Sequence, residues 1–222
     1  MTPSSFLETQ QTCNGVFLEI LGSGVLLTGP SGIGKSELAL GLIDRGHCLI
    51  ADDVVVFSRR DDNKVLGICP EVLQDFLEVR GLGVIDVRAI YGDTAIKPSK
   101  ELSLIIDLIE LPSSKLSESN PSFMQGYLTE NKFSSTPHPA SPARGEGTRE
   151  KLFESDRLTG LHRQQEILGI AFPHVSLPVA PGRPLPILVE AAVRNQMLKS
   201  NGYDPSLAFQ IKQQQLLQGE HV

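Results

Sequence analysis

Short apolar runs rich in Val, Ile, Leu and Phe recur through the first half of the chain, each closed by glycine, proline or acidic residues. Runs of this length and composition predict buried β-strands. They fall at 15–21, 25–28, 47–51, 54–57, 65–69 and 103–108. Gly22-Ser23-Gly24 predicts the turn between the first two. A helical period takes over at Glu37-Leu38-Ala39-Leu40-Gly41-Leu42-Ile43, runs to about Arg45 and stops at Gly46. A glycine just past the last turn commonly ends a helix. Pro70 predicts a helix start, with 71–76 following it, and 88–91 predicts a single helical turn ended by Gly92.

The second half carries fewer elements. Residues 175–179 predict a strand and Ala180-Pro181-Gly182-Arg183-Pro184 a rigid turn. A helix at 185–196 takes Leu188, Val189, Ala191, Ala192 and Leu198 as its apolar face, with Asn201-Gly202 as its cap. A polar, Gln-rich helix at 206–217 closes the chain. Residues 1–12 predict a loose lead-in, and 112–152, rich in Ser, Pro, Asn and Glu, a mobile loop read as an insert rather than a functional lid. The domain then runs over 13–210, interrupted by that insert, with 211–222 as a tail.

One interval between a strand and a helix has its own chemistry. Gly29-Pro30-Ser31-Gly32-Ile33-Gly34-Lys35-Ser36 fits the phosphate-loop pattern without a mismatch, with Val25-Leu26-Leu27 ahead of it as a buried strand. Glycines let backbone N–H groups turn inward around phosphate oxygens, and the helix N-terminus adds a positive dipole end. Lys35 can reach outer phosphates and the Ser36 hydroxyl can ligate Mg²⁺. The plain alternative is a glycine-rich turn before an ordinary helix. With the strand and helix in place, the pattern predicts a nucleoside-triphosphate site.

Two acidic stretches follow the loop. Asp52-Asp53 close a buried strand, where successive side chains point to opposite faces. One acid can then face phosphate while the other ligates metal or faces elsewhere, and a carboxylate there can accept the proton of an attacking hydroxyl. A turn or capping pair is the alternative. In Glu78-Val79-Arg80-Gly81-Leu82-Gly83-Val84-Ile85-Asp86-Val87, charged residues sit among glycines and apolar residues. Glu78 can bind metal and Arg80 phosphate. A strand–turn–strand with an internal Glu78–Arg80 pair is an equal alternative.

Composition narrows the field. The chain has 222 residues, 40% hydrophobic, with a formal charge of −6. With no basic run and no tryptophan, nucleic acid is disfavoured as a partner. Cys13, Cys48 and Cys69 lie far apart without metal spacing, which suits a reduced cytoplasm and small buried thiols. No run is long and apolar enough for a membrane span.

The phosphate loop followed by Glu37, then Ala51-Asp52-Asp53, then 78–87 together resemble the catalytic, C-terminal domain of the HPr kinase/phosphorylase family, bacterial enzymes that act on a serine of the phosphocarrier protein HPr. Pro178-Val179-Ala180-Pro181-Gly182-Arg183 and Asn201-Gly202-Tyr203 resemble that family's late signature, and the likeness covers about 13–111 and 153–210. It implies an α/β fold with a P-loop in a mixed sheet and flanking helices, related to phosphoenolpyruvate carboxykinase. It implies ATP and Mg²⁺, phosphorylation of HPr or a related phosphocarrier, the reverse phosphorolysis to pyrophosphate, and a homo-oligomer, typically a hexamer.

Carried over by position, Lys35 binds β/γ-phosphates, Ser36 and Glu78 hold Mg²⁺, and Asp53, which has Asp52 beside it, accepts the proton of serine and donates it in reverse. Arg157 matches the catalytic arginine, and Arg183 sits in the part associated with dephosphorylation. There are departures. Asn14 stands where the family has an active-site histidine, Ala180 replaces an arginine and Pro184 a polar residue, and the family's N-terminal domain has no counterpart. The insert also falls shortly before Arg157. A nucleotide-binding regulatory protein without full activity is therefore the alternative function, and a small-molecule kinase using only the phosphate loop ranks last.

Overall fold

The structure is a computed structural model that describes residues 10–60, 64–110 and 162–217. Three short strands open it: β1 (Gln10–Asn14), β2 (Val16–Ile20) and β3 (Ser23–Thr28). Helix α1 (Lys35–Ile43) leads to β4 (Cys48–Ala51), β5 (Val54–Arg60) and β6 (Lys64–Ile68). A hairpin of β7 (Phe76–Val79) and β8 (Gly83–Asp86) precedes α2 (Val87–Tyr91) and the long β9 (Ser99–Glu110). After the undescribed stretch come β10 (His162–Ile167), β11 (Ile170–Val179), α3 (Leu185–Ser200) and α4 (Pro205–Leu217).

Nine of these strands form one mixed sheet in the order β1-β5-β6-β9-β3-β2-β4, with β11 also paired to β9 and β10 to β11. Among the described strands, only the β3–β9 and β9–β11 pairs are parallel. Parallel strands need crossover connections, and the β3 crossover contains α1. The β7–β8 hairpin stands apart from the sheet.

Alternation divides the core between two faces. Val25 and Leu27 of β3 pack with α1 (Leu38, Ala39, Leu42, Ile43) and α3 (Val189, Val193). Leu26 points the other way, into a cluster built from strand residues such as Phe17, Val55, Phe57 and Val65. The sheet therefore curls over its second face, and the two long-range helices flank the first. In β9 the pairing slips by one residue between Gly24–Leu102 and Val25–Leu104. That irregularity lets Leu102 serve one face and Leu104 the other. Phe17 and Phe57 meet edge-to-face, with centroids 5.4 Å apart. Gly67 makes room: a Cβ on it would stand 2.5 Å from one ring and 2.6 Å from the other.

Several expectations need correction. Residues 10–12 are not lead-in but part of β1, an outer strand paired only with β5, whose backbone bonds tolerate an alternately exposed polar sequence. The helix expected at 71–76 shrinks to one 3₁₀ turn at Glu71–Leu73. Gln74 is extended and Asp75 takes a positive φ of 72°, because the Asp75 carboxylate is drawn into a two-pronged pair with Arg88, at 2.6 and 3.1 Å. The polar stretch at 162–166 is strand β10, and β11 begins at Ile170 rather than 175, joined through the tight Leu168-Gly169 turn. α3 runs on to Ser200 and buries Val189 and Val193, whereas Leu198 is 46% exposed.

Cys13, Cys48 and Cys69 are free thiols, and burial pushes each above its ordinary pKa. Among the described residues no helix is long and apolar enough to cross a membrane. The segment expected as an insert, 112–152, lies outside the described residues.

Candidate active site at the end of the parallel strands

The glycine-rich loop leaves β3 at its C-terminal end, beside the C-terminal half of β9. Open α/β sheets place ligands at such strand ends. Gly29 adopts φ 134°, Gly32 79° and Gly34 102°. Gly29 is also crowded: a Cβ there would meet the carbonyl oxygen of Leu108 at 2.5 Å. Ile33 anchors the loop by burying its side chain in the core. Gly34 precedes α1 and offers no capping side chain, so the first-turn N–H groups face the loop interior without that competitor. The Lys35 ammonium folds back onto the loop and donates to the carbonyls of Gly29 and Pro30, both at 3.0 Å.

The acid pair forms the floor. Asp52 is buried, and Asp53 is exposed with a positive φ of 67°. One Asp52 oxygen receives the Ser36 hydroxyl across a long 3.4 Å contact, and the other receives the Glu78 backbone N–H at 2.9 Å. Burial pushes the Asp52 carboxyl above the ordinary carboxylate range, partly offset by N–H donors from Glu78 and Asp53. The carbonyl of Asp53 accepts from the Gly15 N–H at 3.1 Å.

The hairpin is the opposite wall. Leu77 and Val79 are buried, so alternation turns Glu78 outward, with Arg80 exposed beyond it. Arg80 Nη1 lies 3.6 Å from where a Cβ on Gly32 would stand. The resulting cleft, of about 290 Å³, is lined by Ser31, Gly32, Gly34, Lys35, Ser36, Glu37, Asp52, Asp53, Glu78 and Arg80. Segments of the chain separated by tens of residues thus bring cations, hydroxyl and carboxylates to one opening.

Of the residues expected at the site, Asn14 does not line this cleft. It is exposed at the end of β1, next to the Gly15 that bonds Asp53. Arg183 is also elsewhere, with Nη1 donating to the Pro178 carbonyl at 3.0 Å. Arg157 lies outside the described residues. Two features were missed. Glu37 lines the cleft because the first helical turn faces it. Asp107, the one acid in the apolar centre of β9, accepts the Thr28 hydroxyl directly below the loop; its interruption of Leu104-Ile105-Ile106 was the available signal.

The cleft's oxygen donors suit a hard divalent cation. Among the described residues no three His, Cys, Asp or Glu side chains surround one point. A cation held by one or two carboxylates together with phosphate oxygens needs no such cage.

The fold and this opening define a mixed α/β domain with a glycine-rich strand-to-helix loop faced by acids. More particularly, residues 5–123 and 147–213 match the HPr serine kinase C-terminal domain, and the chain belongs to that family. It is 41% identical over 212 residues to HPr kinase/phosphorylase of Xylella fastidiosa (strain M12), covering 96% of this chain and 56% of that protein. The same figures hold for HPr kinase/phosphorylase of Xanthomonas campestris pv. campestris (strain B100). The chain thus spans little more than half the length of these curated relatives. The solved structure of the Hpr(Ser) kinase/phosphatase from Coxiella burnetii superposes with a TM-score of 0.64 at 36% identity, over 90% of this chain and 98% of that one.

Proposed function

We propose that this chain carries out ATP- and Mg²⁺-dependent phosphorylation of a serine on the phosphocarrier protein HPr, or a related phosphocarrier, and the reverse phosphorolysis. The observation that carries the reading is the single cleft that joins Lys35 and Ser36 of the loop, the Asp52-Asp53 pair and the Glu78–Arg80 wall. The loop then acts as a P-loop in a fold related to phosphoenolpyruvate carboxykinase. The reading carries with it a cytoplasmic homo-oligomer, hexameric in the family's usual form.

In the forward direction the loop N–H groups and Lys35 hold the β- and γ-phosphates, and Arg80 adds positive charge from the hairpin. The serine oxygen attacks the γ-phosphorus while its proton passes to Asp53; the bond from that phosphorus to the β-phosphate bridge breaks and ADP leaves. In reverse, inorganic phosphate attacks the phosphoserine phosphorus. The serine oxygen departs, takes a proton from Asp53, and pyrophosphate is formed. Ser36 and Glu78, with Asp52 behind both, are the residues that would hold Mg²⁺, which neutralises phosphate charge when bound. Arg157 is assigned to transition-state charge and Arg183 to the reverse direction. Asn14 supplies no titrating group where the family has histidine.

The test is purified chain with HPr, ATP and Mg²⁺, followed by addition of phosphate. Phosphoserine that forms, and then disappears with release of pyrophosphate, is the expected result. Lys35→Ala should abolish transfer and Asp53→Asn should lower it by about three orders of magnitude, in the range seen when a positioned base is lost. ATP binding without either reaction would overturn the proposal, and near-wild-type transfer by Asp53→Asn would remove its assignment as base.

A further inference from the structure

Asp107 is a half-buried acid between the apolar Ile106 and Leu108 on β9, across from Thr28 on one side and Ser176 on the other, outside the cleft and outside the roles given above. It is the direct cross-strand partner of Thr28 in the parallel β3–β9 pair, and Thr28 Oγ1 donates to its Oδ1 at 2.8 Å. Thr28 is the last residue of β3, so its position sets where the loop begins. The next residue is confined from two further directions. The Cα of Gly29 packs too close to the Leu108 carbonyl for any side chain, and the Gly29 carbonyl receives Lys35. The first peptide of the loop is therefore fixed by neighbouring residues of β9, Asp107 and Leu108, and by the lysine at the loop's far end.

We propose that Asp107 is a positioning residue for the glycine-rich loop, acting through the Thr28 hydroxyl to hold the loop's first peptide in its phosphate-cradling geometry. The inference rests on the nucleotide reading of the loop. Loss of one hydrogen bond of this kind sets the expected scale at roughly tenfold in affinity.

The experiment uses the full chain with Thr28→Val, Thr28→Ser, Asp107→Ala, Asp107→Asn and the Thr28→Val/Asp107→Ala double variant. Each is read by ATP affinity in titration calorimetry and by hydrogen exchange of the amides at 29 and 31–34 without nucleotide. Thr28→Val and Asp107→Ala should each weaken ATP binding about tenfold and speed exchange in the loop, and the double variant should lose no more than either single one. Thr28→Ser and Asp107→Asn keep a donor and an acceptor and should stay within about twofold of the parent. Unchanged affinity and exchange in the valine and alanine variants would overturn the inference. So would additive losses in the double variant, or an Asp107→Asn defect equal to that of Asp107→Ala, which would assign the role to charge. If the parent chain binds no ATP, the nucleotide reading fails, and the exchange measurements still decide whether Asp107 orders the loop.

Discussion

Alanine at Gly29 tests how tightly the loop is seated. The added Cβ would stand 2.5 Å from the Leu108 carbonyl oxygen, about 0.8 Å inside an ordinary C···O contact of about 3.3 Å. That oxygen belongs to β9, which is held between β3 and β11, so the loop rather than the strand must yield. The backbone at φ 134° is a second obstacle; a sparsely populated conformation costs a side-chain-bearing residue about 1–3 kcal/mol. Overpacking adds about 1–3 kcal/mol, and partial relaxation of one relieves the other, so the expected loss of stability is about 2–4 kcal/mol. On the proposed reaction, a loop moved by close to 1 Å should lose about 10²-fold in kcat/KM. Gly32→Ala is the control, with a positive φ of 79° but only the end of the Arg80 side chain nearby, at 3.6 Å. It should cost about 1–2 kcal/mol in backbone strain alone. Urea unfolding and HPr phosphorylation kinetics on both variants make the comparison. Equal unfolding midpoints and equal kcat/KM in the two would refute the seating argument.

Two further outcomes follow from the packing and charge described above. Gly67→Ala drives a methyl group against the Phe17 and Phe57 rings and should destabilise the chain by about 1–3 kcal/mol in urea unfolding, with ATP affinity unchanged because the rings lie in the second core cluster. On the opposite face, hydrogen bonds from Arg45, at 2.6 and 2.8 Å, and from His47, at 3.0 Å, hold the Glu190 carboxyl at about 2 instead of the usual 4.5. A carboxyl depressed by folding stabilises the native state above its unfolded pKa and loses that contribution as the pH falls toward the folded value. The unaltered chain should therefore lose urea stability more steeply than Glu190→Gln between about pH 5 and pH 3. Parallel pH profiles would show that this cluster does not couple to folding.

The legible parts of the fold were those where one local signal dominates. The apolar runs around Leu26 and Ile105 mark strands because both their faces are buried, and the glycine-rich loop is recognisable because its residue types and spacing fit the phosphate-loop pattern. Illegible parts were decided by distant partners. Residues 10–12 look like lead-in until β5 supplies backbone bonds, and 163–166, exposed beside β11, carry no apolar alternation. Residues 71–76 have a helical start, yet Arg88, 13 residues on, pairs with Asp75, whose backbone has already left the helical region. At the site, the loop, the acid pair and Glu78–Arg80 were each visible in the sequence, but their convergence was not. Neither was the Thr28–Asp107 bond, which depends on strands 79 residues apart meeting in register.

Asp52 explains why that convergence is specific. Buried acids at a strand end are costly unless both oxygens find donors. The donors here come from opposite walls, the Ser36 hydroxyl of α1 and the Glu78 N–H of the hairpin. One carboxylate therefore sets the distance between the loop and the hairpin, and the two proposed metal-holding residues are spaced through it. The chain reverses at once after this buried residue, Asp53 taking φ 67° and exposing its carboxylate on the cleft. Adjacent acids of the same type thus meet opposite demands: Asp52 is enclosed and engaged by both walls, whereas Asp53 remains open to a substrate hydroxyl. On the proposed reaction, that difference in surroundings, rather than any difference in residue type, assigns the scaffold to Asp52 and the proton transfer to Asp53.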